Sequence, residues 1–262
     1  MCTVAAAAER DKMDSIVDYV IVGFSEEYAT MLDTTMIPEA GTARSKIIEA
    51  GRQLVQRGVL SRSQHGNMSI RLSDGNHFVL TGKGTLDHLE PEDLAVLDLE
   101  GNLVDGVLDP ASNEIVQMHA AVYRKRPDIG SVVHTHSPHV TAFALASKPI
   151  EPSYEALVRF DFTEAVPVAK YGPRGSARSV SNIVDVVGDS TKAVLLENHG
   201  LLAFDANIDK VIQSICVLEE AAEMIILADA VGGAKPIPSD LLAETRNRRQ
   251  EFEATGTQHA HS

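Results

Sequence analysis

The run Ser131-Val132-Val133-His134-Thr135-His136 constrains this chain most: an apolar segment that ends in two histidines one residue apart. On a β-strand, side chains two positions apart share a face, so His134 and His136 aim two imidazoles at one point. A lone histidine at a strand end is more often a hydrogen-bonded polar residue than a ligand. Two on one face, with a third downstream, read instead as a ligand set. The third is His199, in Ala193-Val194-Leu195-Leu196-Glu197-Asn198-His199-Gly200, where a buried-type strand stops, Gly200 permits a bend and a second apolar run follows. Three neutral imidazoles suit Zn²⁺ first and are compatible with Fe²⁺, Mn²⁺ or Co²⁺, so one divalent metal per subunit is expected. Three protein ligands leave a coordination position open, which marks a catalytic rather than a structural site.

The chain has 262 residues, of which 44% are hydrophobic, enough for one sizeable core. It divides into an extension over 1–41, a main domain over 42–233 and a polar tail over 234–262. With 23 Lys and Arg against 37 Asp and Glu, the formal charge is -14, which argues against nucleic acid or an anionic membrane as a partner. An anionic small-molecule substrate therefore needs a local cation. Two cysteines, Cys2 and Cys216, give no disulfide framework, and a reducing cytoplasm fits. Ala5 to Ala8 is short and followed at once by charged residues, unlike a signal peptide. Ile16 to Phe24 is far below the roughly 20 apolar residues that a spanning helix requires.

Along the chain, the spacing of apolar residues predicts a helix over 14–32 and another from Thr42 as N-cap to Gly58 as stop. A hairpin follows, with strands at 66–72 and 77–80 joined through Asp74-Gly75-Asn76. Thr81-Gly82-Lys83-Gly84 can present backbone N–H groups and one charge to an anion, although Gly-rich turns after strands are usually only turns. Two more strands occupy 94–99 and 103–107. Ser112-Asn113-Glu114 opens a helix that ends in Arg124-Lys125-Arg126-Pro127, with Glu114 in the first turn, where the helix dipole favours a carboxylate. His119 is expected half-buried on that helix, with no ligand role, and His139 on the surface or supporting the ligands. A short helix follows Pro138, then a loop over 149–154, a strand over 165–169 and a helix over 176–187. The last long helix covers 208–231. His259 and His261 repeat the His-X-His spacing in a segment without strand pattern and carry no ligand role.

The ordered set Gly66-Asn67-Met68-Ser69, Ser112-Asn113-Glu114, Met118-His119 through Arg126-Pro127, His134-Thr135-His136-Ser137-Pro138, Val166-Pro167-Val168-Ala169 with Tyr171 and Gly175-Ser176, and Asn198-His199-Gly200 resembles the class II aldolase/adducin family. The resemblance spans roughly 42–232. It implies a three-layer α/β/α fold with a central, mainly antiparallel sheet, assembled as a homotetramer with sites at subunit interfaces. It implies His134, His136 and His199 as metal ligands, Glu114 as acid/base, and Asn67, Thr81, Gly82, Ser112 and Asn113 around a substrate phosphate. Tyr154 resembles a tyrosine that reaches a neighbouring site as proton donor. Lys83 stands where the family more often has a small or apolar residue, and either strengthens phosphate binding or recognises a carboxylate. One extra residue separates Glu114 from Met118-His119, which implies a bulged helix start or a displaced Glu114.

By this resemblance the chain is a metal-dependent lyase that cleaves a carbon–carbon bond in a sugar phosphate or hydroxy-oxo acid. A sugar-phosphate 4-epimerase uses the same cleavage and rejoins the fragments. A non-haem iron oxygenase or decarboxylase acting on an aromatic or hydroxy acid is a further enzymatic reading. An adducin-like scaffold is the non-enzymatic one, and the presence of all three histidines argues against it.

Overall fold

The computed structural model describes residues 36–254. The helix expected over 14–32 and the histidines at 259 and 261 lie outside them. Eight strands form one sheet: β1 (Gly66–Arg71), β2 (His77–Thr81), β3 (Leu94–Asp98), β4 (Leu103–Asp105), β5 (Ser131–Thr135), β6 (Val168–Ala169), β7 (Ala193–Leu196) and β8 (Gly200–Asp205). Their order is β4-β3-β2-β1-β5-β8-β7-β6, and every neighbouring pair is antiparallel except β6 with β7. The expected α/β class with a mainly antiparallel sheet is what the chain forms.

The helices are α1 (Met36–Gln56), α2 (Pro110–Asn113), α3 (Val116–Lys125), α4 (Pro138–Leu145), α5 (Glu155–Arg159), α6 (Ala177–Val186), α7 (Ile208–Asp229) and α8 (Ser239–Ala254). They cover both faces of the sheet, which is why β5, β7 and β8 are buried throughout and read as unbroken apolar runs rather than alternating ones. One face packs Phe78, Leu80, Leu97, Val132, Leu202 and Phe204 against Val122 and Tyr123 of α3 and Ile183 of α6. The opposite face carries α4 and α7 against β5 and β8. There α1 approaches so closely that a Cβ on Gly51 would lie 3.4 Å from Met68 Cε.

Several boundaries differ from the sequence reading. The first helix begins at Met36, so Thr42 lies inside it, and Pro38 is tolerated because N–H groups of a first turn have no intrahelical partner anyway. The helix expected from Ser112 to Lys125 is interrupted: Glu114 and Ile115 form a turn between α2 and α3. The strand expected over 165–169 pairs with β7 only at Val168 and Ala169, with an isolated bridge from Val166 to Ile150. The loop after Ile150 leads into α5, and the polar segment beyond 234 contains α8. Among the described residues, no helix is long and apolar enough to cross a membrane.

Candidate metal centre

Three elements converge at the edge where β5 ends and β8 begins. His134 is the penultimate residue of β5 and His136 follows the strand, so the period-two geometry holds through the strand end. His199 is the last residue of the tight connection between β7 and β8, closed by register pairing of Leu196 with Gly200 and by the bond from His199 N–H to the Leu196 carbonyl at 2.9 Å. Asn198 adopts the left-handed conformation (φ 57°), which asparagine tolerates better than most residues. Gly200 is there for space: a Cβ would lie 2.6 Å from the Thr135 carbonyl oxygen and 3.0 Å from His136 Cδ2. Beneath the centre, buried Glu219 of α7 accepts from the backbone N–H groups of His139 and Val140 and from His139 Nδ1, which clamps the turn just after His136.

One ligand atom from each histidine lies within 4.8 Å of the other two, and His134 Nε2 is 3.0 Å from His136 Nε2. His134 Nδ1–H donates to the Leu201 carbonyl at 2.8 Å, which fixes the tautomer and leaves Nε2 as a lone pair facing the other rings. The His134 and His136 nitrogens, 3.0 Å apart, can share one ion at the usual bond length of about 2.0–2.1 Å. Burial holds all three imidazoles below their ordinary proton affinity. His134 sits well below it, through burial and then through His199 and His136. Burial, with His199, His65 and Arg174, lowers His136 to about 4. His199 is lowered by burial and by the charge of Arg174. The set is neutral near pH 7, the form that ligates a metal.

The other expected residues are placed unequally. Asn67 pairs in register with His134 across β1 and β5, so its side chain stands beside that ring on the same face. Thr81 is buried and its Oγ1 accepts from the Met68 N–H. The expectation that Gly82 and Lys83 offer free amides is corrected: both N–H groups donate to the Asp93 carbonyl, at 2.7 and 3.2 Å. Lys83 Nζ pairs with Asp93, 3.2 Å away. Gly82 serves packing, since a Cβ there would lie 2.2 Å from the Val107 carbonyl oxygen. The Ser112 N–H is taken by the Asp109 cap at 2.6 Å, and Asn113 is exposed. Tyr154 donates to Glu220 of α7 at 2.8 Å, in the helical layer opposite the face His134 points to, so within one chain it is not brought to the histidines. His139 is the Glu219 partner.

Glu114 is half-exposed and pairs with Arg174 Nε at 3.3 Å, while Arg174 Nη2 donates to the Ala111 carbonyl at 2.6 Å. Arg174 is the local cation whose identity the sequence reading missed, and its charge reaches both His136 and His199. Its signal was the Pro173-Arg174-Gly175 turn; a Cβ on Gly175 would lie 3.1 Å from Glu114 Cβ, so only glycine lets this loop seat against Glu114. His119 was expected half-buried and is fully buried instead, because α3 lies flat on the sheet and turns it inward.

A family described as Class II Aldolase and Adducin N-terminal domain matches residues 45–226. The 5-deoxy-D-ribulose 1-phosphate aldolase of Bacillus thuringiensis is 31% identical over 217 residues, which cover 82% of this chain and 97% of that protein. The L-fuculose phosphate aldolase of Methanococcus maripaludis is 34% identical over 163 residues, covering 61% of this chain and 83% of that protein. The 3-oxo-tetronate 4-phosphate decarboxylase of Haemophilus influenzae is 32% identical over 186 residues, covering 68% and 84%. Among solved structures, an L-fuculose 1-phosphate aldolase superposes with a TM-score of 0.70 at 24% identity, over 80% of this chain and 96% of that one.

Proposed function

Because the chain belongs to the class II aldolase and adducin family, we propose that His134, His136 and His199 hold one divalent metal ion and that the enzyme cleaves a carbon–carbon bond beside the carbonyl of a phosphorylated ketose or related hydroxy-oxo acid. The observation that carries this reading is the convergence of three neutral imidazoles, with His134 locked by Leu201 so that its free nitrogen faces the others. Zn²⁺ is the preferred occupant by ligand type, with Fe²⁺, Mn²⁺ and Co²⁺ as alternatives. The ion would supply Lewis-acid stabilisation of the carbonyl and of the negative charge that develops on cleavage.

The protein's own groups divide the remaining work. Asn67, beside His134, and Thr81, on the adjoining strand, bind substrate oxygens. Ser112 and Asn113, beside the Ala111 and Glu114 that Arg174 grips, bind the substrate phosphate. Arg174 attracts the anionic group and holds Glu114 beside the centre, where its carboxylate moves the proton at the carbon that becomes nucleophilic. The recess beside His199, lined by Ala169, Tyr171, Gly172, Ser179 and Glu197 among others, has a volume of about 10 Å³, too little for a sugar phosphate. A neighbouring copy in a homotetramer would supply the missing wall, and Tyr154 of that copy is the candidate proton donor for the leaving oxygen.

The test is elemental analysis of anaerobically purified protein beside aldehyde release from L-fuculose 1-phosphate and 5-deoxyribulose 1-phosphate. Near-stoichiometric zinc or manganese, lost in His134→Ala and His199→Ala together with cleavage, supports the reading. Metal retained in both variants overturns the site. The second reading is decarboxylation of a phosphorylated oxo acid, favoured by a cation at the mouth of the centre and detected as CO₂ release.

A further inference from the structure

His119 is a fully buried imidazole linked to the centre through Asn67. Its Nε2 lies 2.6 Å from Asn67 Oδ1, and its Nδ1 lies 2.7 Å from Ser69 Oγ. Ser69 Oγ is in turn 2.7 Å from the hydroxyl of Tyr123. Ser69, His119 and Tyr123 are all sealed from solvent, so each proton in the row needs an acceptor within it.

That requirement fixes the direction. The phenol oxygen of Tyr123 has Ser69 Oγ as its hydrogen-bond partner, at 2.7 Å. Among the described residues, the acceptor for the phenol proton is therefore Ser69 Oγ. Ser69 must then give its own proton to His119 Nδ1. His119 is neutral, held at about 3 by burial, so its single proton resides on Nε2 and is donated to Asn67 Oδ1. The Asn67 amide is thereby set with its oxygen inward. Its Nδ2 has no partner among the described residues and is not one of the sealed unpaired atoms, which are Arg44 Nε, Ser131 Oγ and Thr141 Oγ1. The exposed part of Asn67 is therefore its donor, on the face and at the register position of His134.

We propose that Tyr123, Ser69 and His119 form a directional hydrogen-bond relay whose function is to hold Asn67 with Nδ2 as a donor toward substrate oxygen beside His134, making His119 a positioning residue. A reversed amide would point its carbonyl oxygen at the negative charge that the reaction builds there, replacing attraction with repulsion. The inference rests on the proposed function for the identity of the ligand, an anionic substrate oxygen, but the proton order is independent of it.

Two measurements on the full chain test it. In ¹⁵N-histidine NMR of the wild type, the His119 signals should show Nε2 protonated and Nδ1 bare; Tyr123→Phe, which removes the orienting proton without emptying the core, should mix the tautomers. In kinetics, Tyr123→Phe should raise KM for the phosphorylated ketose by about tenfold, the loss of one oriented hydrogen bond, with a smaller change in kcat. The same substitution in an Asn67→Ala background should change KM little. An Nδ1–H tautomer in the wild type overturns the relay, as does a Tyr123→Phe effect that persists undiminished without Asn67, because loosened packing would act in both backgrounds. If the wild type cleaves no phosphorylated ketose while the Nε2–H tautomer is observed, the aldolase reading falls and the relay stands.

Discussion

Gly200→Ala is the sharpest perturbation of this centre, because the cause and the size of its effect can both be worked out. The new Cβ would sit 2.6 Å from the Thr135 carbonyl oxygen, a backbone atom of the neighbouring strand, and 3.0 Å from His136 Cδ2. Relief to even 3.0 Å requires the β7–β8 hairpin to move about 0.4 Å from β5, which exceeds the roughly 0.2 Å tolerance of metal–ligand bonds. Overpacking of this kind costs about 1–3 kcal/mol, or roughly 2–12 °C in the Tm of a domain this size. His199 is carried on the moving hairpin while His134 and His136 stay with β5. Metal affinity should therefore fall at least about tenfold, removing about 1.4 kcal/mol of metal-linked stabilisation. The assay is thermal unfolding with and without added Zn²⁺, plus competition against a chelator. Gly188→Ala is the control, since its Cβ would meet only Thr191 Oγ1 at 3.6 Å. Wild-type Tm and wild-type metal affinity in Gly200→Ala would refute the packing argument.

Four further outcomes follow from the same geometry. Because the histidines titrate below their ordinary range, metal binding at pH 6 should release few protons in calorimetry, whereas three unshifted imidazoles would release roughly two. The same shifts set the apoprotein's pH profile: the unfolded state binds more protons, so this part of the stability is complete above about pH 6.5 and is lost as pH falls toward 4; a flat profile there would contradict the shifts. Arg174→Gln should raise KM for an anionic substrate by about tenfold while metal content stays unchanged, with Arg174→Lys recovering part of the loss; an unaltered KM in Arg174→Gln would remove Arg174 from the site. Glu219→Leu strips the acceptor from the buried Val140 N–H and two part-buried N–H groups of His139 and should cost about 3 kcal/mol in denaturant unfolding, with Glu219→Gln milder because its amide oxygen still accepts; equal stability of all three proteins would show that the clamp on the His136 turn is unimportant.

Sequence alone determined the parts of this protein that depend on local periodicity. His134 and His136 share a face because strands repeat every two residues, the runs in β5, β7 and β8 are apolar because both faces are covered, and Ser176 and Gly58 mark helix ends through their own backbone chemistry. Tertiary structure decided everything that depends on which segments meet. Asp93 takes the Gly82 and Lys83 amides because β3 lies beside β2. Arg174 comes to Glu114 from 60 residues away through a turn whose glycine fits only that contact. His119, polar on a helix that could have faced water, is buried because β1 supplies Ser69 and Asn67 to satisfy both of its nitrogens. A residue's own type sets which hydrogen bonds it can make, but only the packing of distant strands and helices settles which partner arrives to make them.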